Sequence, residues 1–177
     1  PRPQMNEGKA FRSLVASYGN PGSALFIADR GYISYNNVAF LQENGHLFLI
    51  RAKSPDSSAS VLKYVVNEDS PEDTDVCMRL TRSHKKQYSK HPDKYKLIHG
   101  SREFLYISPG DVESVYEMKF RVVRISIGNG DLEYLVTNLP RDSFPADMIK
   151  ELYNMRWGIE SSFRTLKYAL SLNFLHS

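Results

Sequence analysis

The first third of the chain shows helical and strand-like hydrophobic patterns in turn. An amphipathic stretch predicts a helix that ends near Gly19, with apolar positions at Phe11, Leu14, Val15 and Tyr18. The unbroken apolar runs 24–28 and 47–51 predict strands that are covered on both faces. Between them, Ser34 can cap a helix whose apolar positions are Tyr35, Val38 and Leu41. This order predicts a right-handed βαβ unit with parallel strands.

Asp29 stands immediately after the first predicted strand. The carboxyl ends of parallel strands open onto the crevice in which α/β proteins bind ligands, so this position makes Asp29 a candidate site residue. The alternative is that Asp29 is a turn or cap residue, a role in which aspartate is common. The strand pattern alone leaves both interpretations open.

From Lys53 onward the pattern changes to a linker followed by strands alone. Residues 54–60 predict an exposed linker, because they are rich in serine and contain a proline. Five β-rich runs follow, at 61–66, 76–81, 103–108, 115–127 and 131–138. They predict an antiparallel β insertion. Within the last run, residues 134–137 belong either to this insertion or to a stem that returns to the first unit.

The stretch 151–170 predicts an amphipathic helix with a polar stripe beside its apolar one. The polar positions fall within an arc of about 60° and are Tyr153, Arg156, Glu160 and Lys167. The apolar positions centre about 85° away and are Leu152, Ile159, Phe163, Leu166 and Leu170. The polar stripe is therefore expected where the core meets solvent. A carboxylate flanked by cations suits a site for a metal and phosphates, but a solvated face with a Glu–Arg pair has the same pattern.

Trp157 and Arg164 lie on the side of the polar stripe that faces away from the apolar one. An indole in this position can stack on a base, which contributes about 1–3 kcal/mol. The alternative is that Trp157 packs against a neighbouring domain.

Composition excludes several classes of protein. The chain has 177 residues, and no apolar run in it approaches the roughly 20 residues that span a bilayer. Its single cysteine, Cys77, excludes an internal disulfide and a cysteine zinc cluster, which fits a reducing cytosol. The net charge of +3 is too small to indicate nucleic-acid binding by itself.

Charge is segregated within the predicted insertion. Residues 67–75 are acidic, whereas 79–96 are basic and carry Arg82, Lys85 and Lys86 among their cations. Two tyrosines are interleaved with these cations, and a basic loop of this kind predicts contacts with a phosphate backbone. A flexible solvated loop is the alternative.

Three segments together resemble a known family. The spacing Tyr-x2-Arg-x3-Glu-x6-Lys from Tyr153 to Lys167 is similar to the signature of the insertion sequence 4 family of bacterial DD(E/D) transposases. The segment ALFIADRGY at 24–32 resembles the second-aspartate motif of that family, and 134–153 resembles its approach to the glutamate helix. The resemblance is clearest over residues 8–53 and 132–177.

The resemblance implies an α/β fold with a ribonuclease H-like core, truncated at its N-terminal side and interrupted by an antiparallel β insertion. The core would comprise residues 1–53 and 132–177, and the insertion residues 54–131. It also implies a DNA transposase that cuts and joins DNA with three carboxylates and two divalent metal ions. Carried over to this sequence, Asp29 and Glu160 would be the second and third catalytic carboxylates, and both would be metal ligands.

The resemblance further implies particular contacts and partners. Tyr153, Arg156 and Lys167 would contact DNA phosphates, and the further DNA-binding candidates are Trp157, Arg164, Arg30, Lys85 and Lys86. The expected cofactor is Mg²⁺ or Mn²⁺, in the complete enzyme only. The expected partner is double-stranded DNA with the terminal inverted repeats of a transposon. The full-length protein is expected to be a homodimer in the bacterial cytoplasm, associated with the nucleoid and not with a membrane.

The sequence departs from the family pattern at the first aspartate. No aspartate precedes Asp29, and residues 1–28 contain a single acid, Glu7. The chain is therefore expected to be an internal piece of a longer transposase and to be inactive by itself. Two alternatives stay open: a non-catalytic DNA-binding remnant, and a related nuclease or integrase with a ribonuclease H-like fold.

Overall fold

The computed structural model describes residues 7–19, 22–128 and 130–156. The chain divides into two compact units, one ending at Leu139 and the other beginning at Pro140. Among its described residues, the first unit contains the helices α1 (Glu7–Ala16), α2 (Tyr35–Glu43) and α3 (Lys86–Ser89). Its strands are β1 (Leu25–Ala28), β2 (Leu47–Ala52), β3 (Asp73–Thr81), β4 (Tyr95–Leu97), β5 (Val115–Ser126) and β6 (Leu132–Thr137). In the second unit residues 146–156, here called α4, are helical.

The strands of the first unit form one sheet in the order β1-β2-β6-β5-β3-β4. β1 is parallel to β2 and β3 is parallel to β4, whereas the other neighbours are antiparallel. This mixed sheet with its helices confirms the predicted α/β class and is consistent with a ribonuclease H-like fold. The parallel β4 departs from the antiparallel insertion that we expected. The connection from β3 to β4 contains α3, and parallel neighbours need such a crossover.

The βαβ unit predicted from the sequence is present as β1, α2 and β2. Ser34 caps α2 as predicted, because its hydroxyl accepts a hydrogen bond from the backbone N–H of Asn37 at 3.1 Å. Residues 48–50 of β2 are all fully buried. Since successive side chains of a strand point to opposite faces, β2 is covered on both faces.

β3, β5 and β6 form the antiparallel part of the sheet. β3 pairs with β5 along its whole length, from Asp73 opposite Val123 to Thr81 opposite Val115. β6 lies between β2 and β5 and is antiparallel to both. The sequence had left residues 134–137 either in the insertion or in a stem that returns to the βαβ unit. In the structure they pair with β2 on one side and with β5 on the other.

Two of the predicted strands are wrong. Residues 61–66 and 103–108 form turns and irregular backbone instead. Several of their apolar side chains are nevertheless buried in the core, with Leu62 at 0%, Phe104 at 5% and Ile107 at 2% exposure, whereas Tyr64 and Leu105 are exposed. The apolar pattern therefore predicted burial only in part, and burial does not require that the backbone pair with a neighbouring strand.

The predicted linker, residues 54–60, is less exposed than expected. Pro55 and Ser60 are buried, and the Ser60 hydroxyl donates a hydrogen bond to the carbonyl of Lys53 at 2.9 Å. Residues near both ends of this segment are therefore packed against the rest of the first unit.

Arg82 is internal to the fold and is not part of a basic loop. Its guanidinium is buried and donates hydrogen bonds to the carbonyls of Ile107 at 3.1 Å, His99 at 3.2 Å and Arg102 at 3.2 Å. These bonds hold an irregular segment against the end of β3. The basic loop that we expected is in fact divided among the end of β3, α3 and β4.

Candidate functional site

Asp29 lies directly after β1, at the carboxyl end of the parallel pair that β1 forms with β2. Its carbonyl accepts a hydrogen bond from the N–H of Tyr32 at 3.0 Å, and its carboxylate Oδ1 accepts one from the N–H of Arg30 at 2.7 Å. The side chain is 42% exposed. Asp29 therefore braces the turn, as one interpretation predicted, while its carboxylate remains accessible, as the other requires.

A hollow of about 940 Å³ opens beside Asp29. Its charged lining comes from the turn after β1, the end of β2 and the start of β6, and consists of Asp29, Arg30, Arg51, Lys53 and Glu133. The serines Ser54, Ser57 and Ser60 add hydroxyl groups. Three cations face two carboxylates, so the formal charge of this lining is +1. A hollow with this balance suits an anionic ligand that approaches a carboxylate.

Arg51 connects the two carboxylates of the hollow. Its Nη1 lies 3.9 Å from Oδ1 of Asp29, and its Nη2 lies 2.7 Å from Oε1 of Glu133. The side chains of Arg51 and Glu133 are only 24% and 11% exposed. The short, partly desolvated pair with Glu133 fixes the guanidinium, because charge-assisted hydrogen bonds are stronger than neutral ones. Glu133 therefore holds Arg51 next to Asp29.

Sequence reasoning missed Arg51 and Glu133. For Arg51 the sequence contained a usable signal, namely two predicted parallel strands that end just before Asp29 and at Arg51. The structure pairs Ala28 with Ile50 and so sets Asp29 and Arg51 side by side. Glu133 gave no comparable signal. It reaches the site only because β6 inserts beside β2, which is a pairing between residues about eighty positions apart.

The donor chemistry of Asp29 fits one ligand of a divalent metal ion, because an accessible carboxylate supplies the hard oxygen that Mg²⁺ and Mn²⁺ prefer. Across the described ranges, no group of three or more histidine, cysteine, aspartate or glutamate side chains is arranged to hold a metal. The predicted partner, Glu160, lies outside those ranges. The predicted approach of its carboxylate to Asp29 therefore stays a prediction.

The helix α4 carries two of the predicted DNA-binding residues. Tyr153 is fully buried and Arg156 is half-buried, with the guanidinium carbon of Arg156 5.3 Å from the centre of the Tyr153 ring. The two side chains thus lie together on one face, as the spacing predicted. Tyr153 is packed more deeply than the border between core and solvent at which the sequence placed it. Trp157, Arg164 and Lys167 lie outside the described residues, like Glu160.

Lys85 and Lys86 lie at the start of α3. The Nζ of Lys85 is 2.8 Å from Oε2 of Glu113, and both side chains are largely exposed. The hydrogen bond from Lys85 to Glu113 raises the pKa of Lys85 above its ordinary value. Neither lysine lines the hollow at Asp29, so the structure does not bring them together with that carboxylate.

The family model described as "Transposase DDE domain" matches residues 3–177. The chain therefore belongs to the transposase DDE domain family, whose members are DNA-cleaving enzymes that generally use divalent metal ions. No curated protein matches the chain. In the part of the chain that the structure describes, no helix is both long and apolar enough to cross a membrane.

Proposed function

We propose that Asp29 is a catalytic carboxylate of a transposase that cuts DNA at transposon ends and joins it to a target. The observation that carries this proposal is the accessible carboxylate at the carboxyl end of β1, inside a hollow whose other charged groups are mostly cationic. A reaction on a phosphodiester needs carboxylates at the reacting group and positive charge for the DNA strand. The family supports the same reaction.

The proposed metal ligands are Asp29 and Glu160, with Mg²⁺ or Mn²⁺ as the ion. Bound divalent ions in such sites activate the attacking oxygen and stabilise the leaving one. The chain itself would position the DNA strand. Arg51, fixed by Glu133, and the neighbouring Arg30 and Lys53 would bind its phosphates beside Asp29.

We further propose that the C-terminal helix is the signature helix of the insertion sequence 4 family. In that case Tyr153, Arg156 and Lys167 contact phosphates near the cleaved end, and Trp157 and Arg164 add contacts to bases or backbone. The contact between Arg156 and the Tyr153 ring supports a common role for these two residues. Lys85 and Lys86 would contact DNA farther from the reacting group.

The remaining proposals concern organisation. The core would comprise residues 1–53 and 132–177 with the insertion at 54–131, and the full-length enzyme would act as a homodimer on terminal inverted repeats. The 28 residues before Asp29 contain only Glu7 as an acid. This chain therefore supplies two of the three carboxylates that the mechanism needs, and we expect it not to cleave DNA by itself.

The test uses the full-length enzyme and DNA carrying its transposon end. Asp29→Asn should abolish both cleavage and strand transfer, and it should leave binding of the transposon end intact, because only the metal-binding charge is removed. Asp69→Asn is the matched control, since Asp69 is an exposed aspartate that does not line the hollow. Cleavage by Asp29→Asn at the rate of the control would refute the assignment.

The signature helix is tested by the dependence of DNA binding on salt. Arg156→Ala should weaken binding of the transposon end and reduce the slope of log affinity against log salt by about 1, because one phosphate contact is lost. An unchanged slope together with a lower melting temperature would assign Arg156 to packing against Tyr153 instead.

A further inference from the structure

A second pocket, of about 290 Å³, is lined mainly by the segment between β3 and β5, together with Tyr64 and Thr81, and shares no lining residue with the hollow at Asp29. Three aromatic rings line it, those of Tyr64, Tyr88 and Tyr95, and we call it the tyrosine pocket. The basic groups of its lining are His84, Lys85, Lys96 and His99. Its lining contains no aspartate or glutamate. The combination of aromatic faces and cations is the one that binds nucleotides in single-stranded nucleic acids.

Tyr64 is held in an unusual conformation at the edge of this pocket. Its φ angle is +68°, in the left-handed region that residues other than glycine seldom adopt, and its side chain is 58% exposed. Tyr64 also lines a neighbouring hollow of about 580 Å³, so its ring stands between two concave surfaces. Strained residues of this kind are concentrated at ligand-binding sites.

Tyr88 and Tyr95 form the aromatic pair of the pocket. Their ring centres are 4.7 Å apart and their planes are inclined by 38°, so the rings meet at an angle and do not stack face to face. The guanidinium of Arg79 lies 5.9 Å from the centre of the Tyr95 ring. A flat, apolar ligand can therefore contact aromatic surface on more than one side.

Lys96 places a cation beside these rings. Its Nζ donates a hydrogen bond to the carbonyl of Lys63 at 3.1 Å and lies 5.2 Å from the centre of the Tyr64 ring. Burial lowers the pKa of Lys96, and the charges of Lys63 and Arg102 lower it further. Over the described residues, no carboxylate forms an ion pair with Lys96. An anionic ligand group would offset this concentration of positive charge.

We propose that the tyrosine pocket binds one unpaired nucleotide of a DNA strand, with its base among Tyr64, Tyr88 and Tyr95 and its phosphate beside Lys96. The volume of about 290 Å³ is close to the smallest that is typical of ligand pockets, so the pocket suits one nucleotide better than a base pair. The inference rests on the proposed function in one respect, namely that the partner is DNA. It adds a site that recognises single-stranded DNA, outside the hollow at Asp29.

The experiment measures the binding of a short fluorescein-labelled oligothymidylate by fluorescence anisotropy in the presence of EDTA. It is made with the 177-residue chain and with the full-length enzyme. The matching duplex and thymidine monophosphate are measured alongside. The single strand should bind more tightly than either. Tyr88→Ala should weaken its binding by roughly 5- to 150-fold, the loss expected for one base–aromatic stack, whereas Tyr88→Phe should retain it. Lys96→Gln should weaken it and lower its dependence on salt.

Tyr18→Ala is the control, because Tyr18 is an exposed tyrosine outside the pocket. Photocrosslinking of an oligonucleotide that contains 5-iodouracil should label one of the three pocket tyrosines, which would support the site even if Tyr88→Ala failed to fold. Equal effects of Tyr88→Ala on single strand and duplex would overturn the proposal, as would tighter binding of the free nucleotide than of the strand. These outcomes are independent of Asp29, because they are measured without metal and without cleavage.

Discussion

The hydrogen bonds of Arg82 lead to a prediction that separates a structural arginine from a DNA-binding one. Arg82→Ala removes a buried guanidinium that donates to three carbonyls, those of Ile107, His99 and Arg102. The bond to Ile107 is buried and the other two are partly buried. The carbonyl of Ile107 would therefore lose its partner where water cannot easily replace it.

The magnitude follows from these three bonds. Hydrogen bonds to charged groups contribute about 1.5–3 kcal/mol each, which gives an upper bound of about 5–9 kcal/mol for Arg82. Two of the carbonyls can regain water, and the unfolded chain recovers the hydration of the guanidinium, so the net loss should be smaller. We expect the free energy of unfolding to fall by about 3–4 kcal/mol. Arg82→Lys should lose about half as much, because one ammonium cannot reach all three carbonyls.

Unfolding of the 177-residue chain in urea, monitored by circular dichroism, measures this loss of unfolding free energy. Arg124→Ala is the matched control, because the guanidinium of Arg124 also donates to a backbone carbonyl, that of Glu68 at 3.0 Å, but at an exposed position. The control should change the free energy of unfolding by less than about 1 kcal/mol. If Arg82→Ala and Arg124→Ala lose the same stability, the carbonyls around Arg82 do not depend on it and our reasoning fails.

Three further predictions follow from other contacts. Glu133→Gln should release Arg51 and slow DNA cleavage by the full-length enzyme about tenfold, because a charge-assisted hydrogen bond of 2.7 Å is weakened. Leu62→Ala should lower the free energy of unfolding by about 2–5 kcal/mol, since Leu62 is fully buried although its backbone is in a turn. Hydrogen bonds from the side chain and backbone of Ser114 lower the pKa of Asp111, so Asp111→Asn should destabilise the fold near neutral pH. The difference in stability between Asp111→Asn and the unsubstituted protein should vanish as the pH falls through the lowered folded-state pKa of Asp111, where its carboxylate becomes protonated.

Each of these predictions has a control or a contrary result. Glu103→Gln alters the ion pairs with Lys9 and Arg12 away from the hollow and should leave cleavage unchanged, so equal slowing by both variants would argue against a special role for Glu133. Leu105→Ala changes an exposed leucine of a similar irregular segment and should cost little. A loss from Asp111→Asn that persists in acid would point to packing and not to the ionised carboxylate.

Local signals in the sequence were sufficient for the βαβ unit. The hydroxyl of Ser34 and the apolar runs that became β1 and β2 act over a few residues, and the structure contains the cap and both strands. Only β2 is covered on both faces as predicted, because β1 is a half-buried strand at the edge of the sheet. Signals that depend on distant pairing were not sufficient. The runs 61–66 and 103–108 had the composition of strands, but they form turns and irregular backbone, from which Leu62, Phe104 and Ile107 fill the core.

The candidate site was also predicted only in part. Asp29 was found because a strand end is visible in the sequence, and its accessible carboxylate agrees with that position. Arg82 was misassigned because composition cannot distinguish a solvated cation from one that donates to buried carbonyls. The role of Glu133 depends on how β6 is inserted in the sheet, and no local pattern contains that information.

The position of β6 has a consequence for anyone who would shorten this protein. β6 lies between β2 and β5 and is hydrogen-bonded to both. A deletion of residues 54–131 would remove β5 and leave one side of β6 with unpaired N–H and C=O groups. Open edges of this kind pair with other chains and aggregate. Residues 54–131 are therefore expected to protect the solubility of the sheet that is followed by Asp29, and a shortened protein would need a new cover for β6.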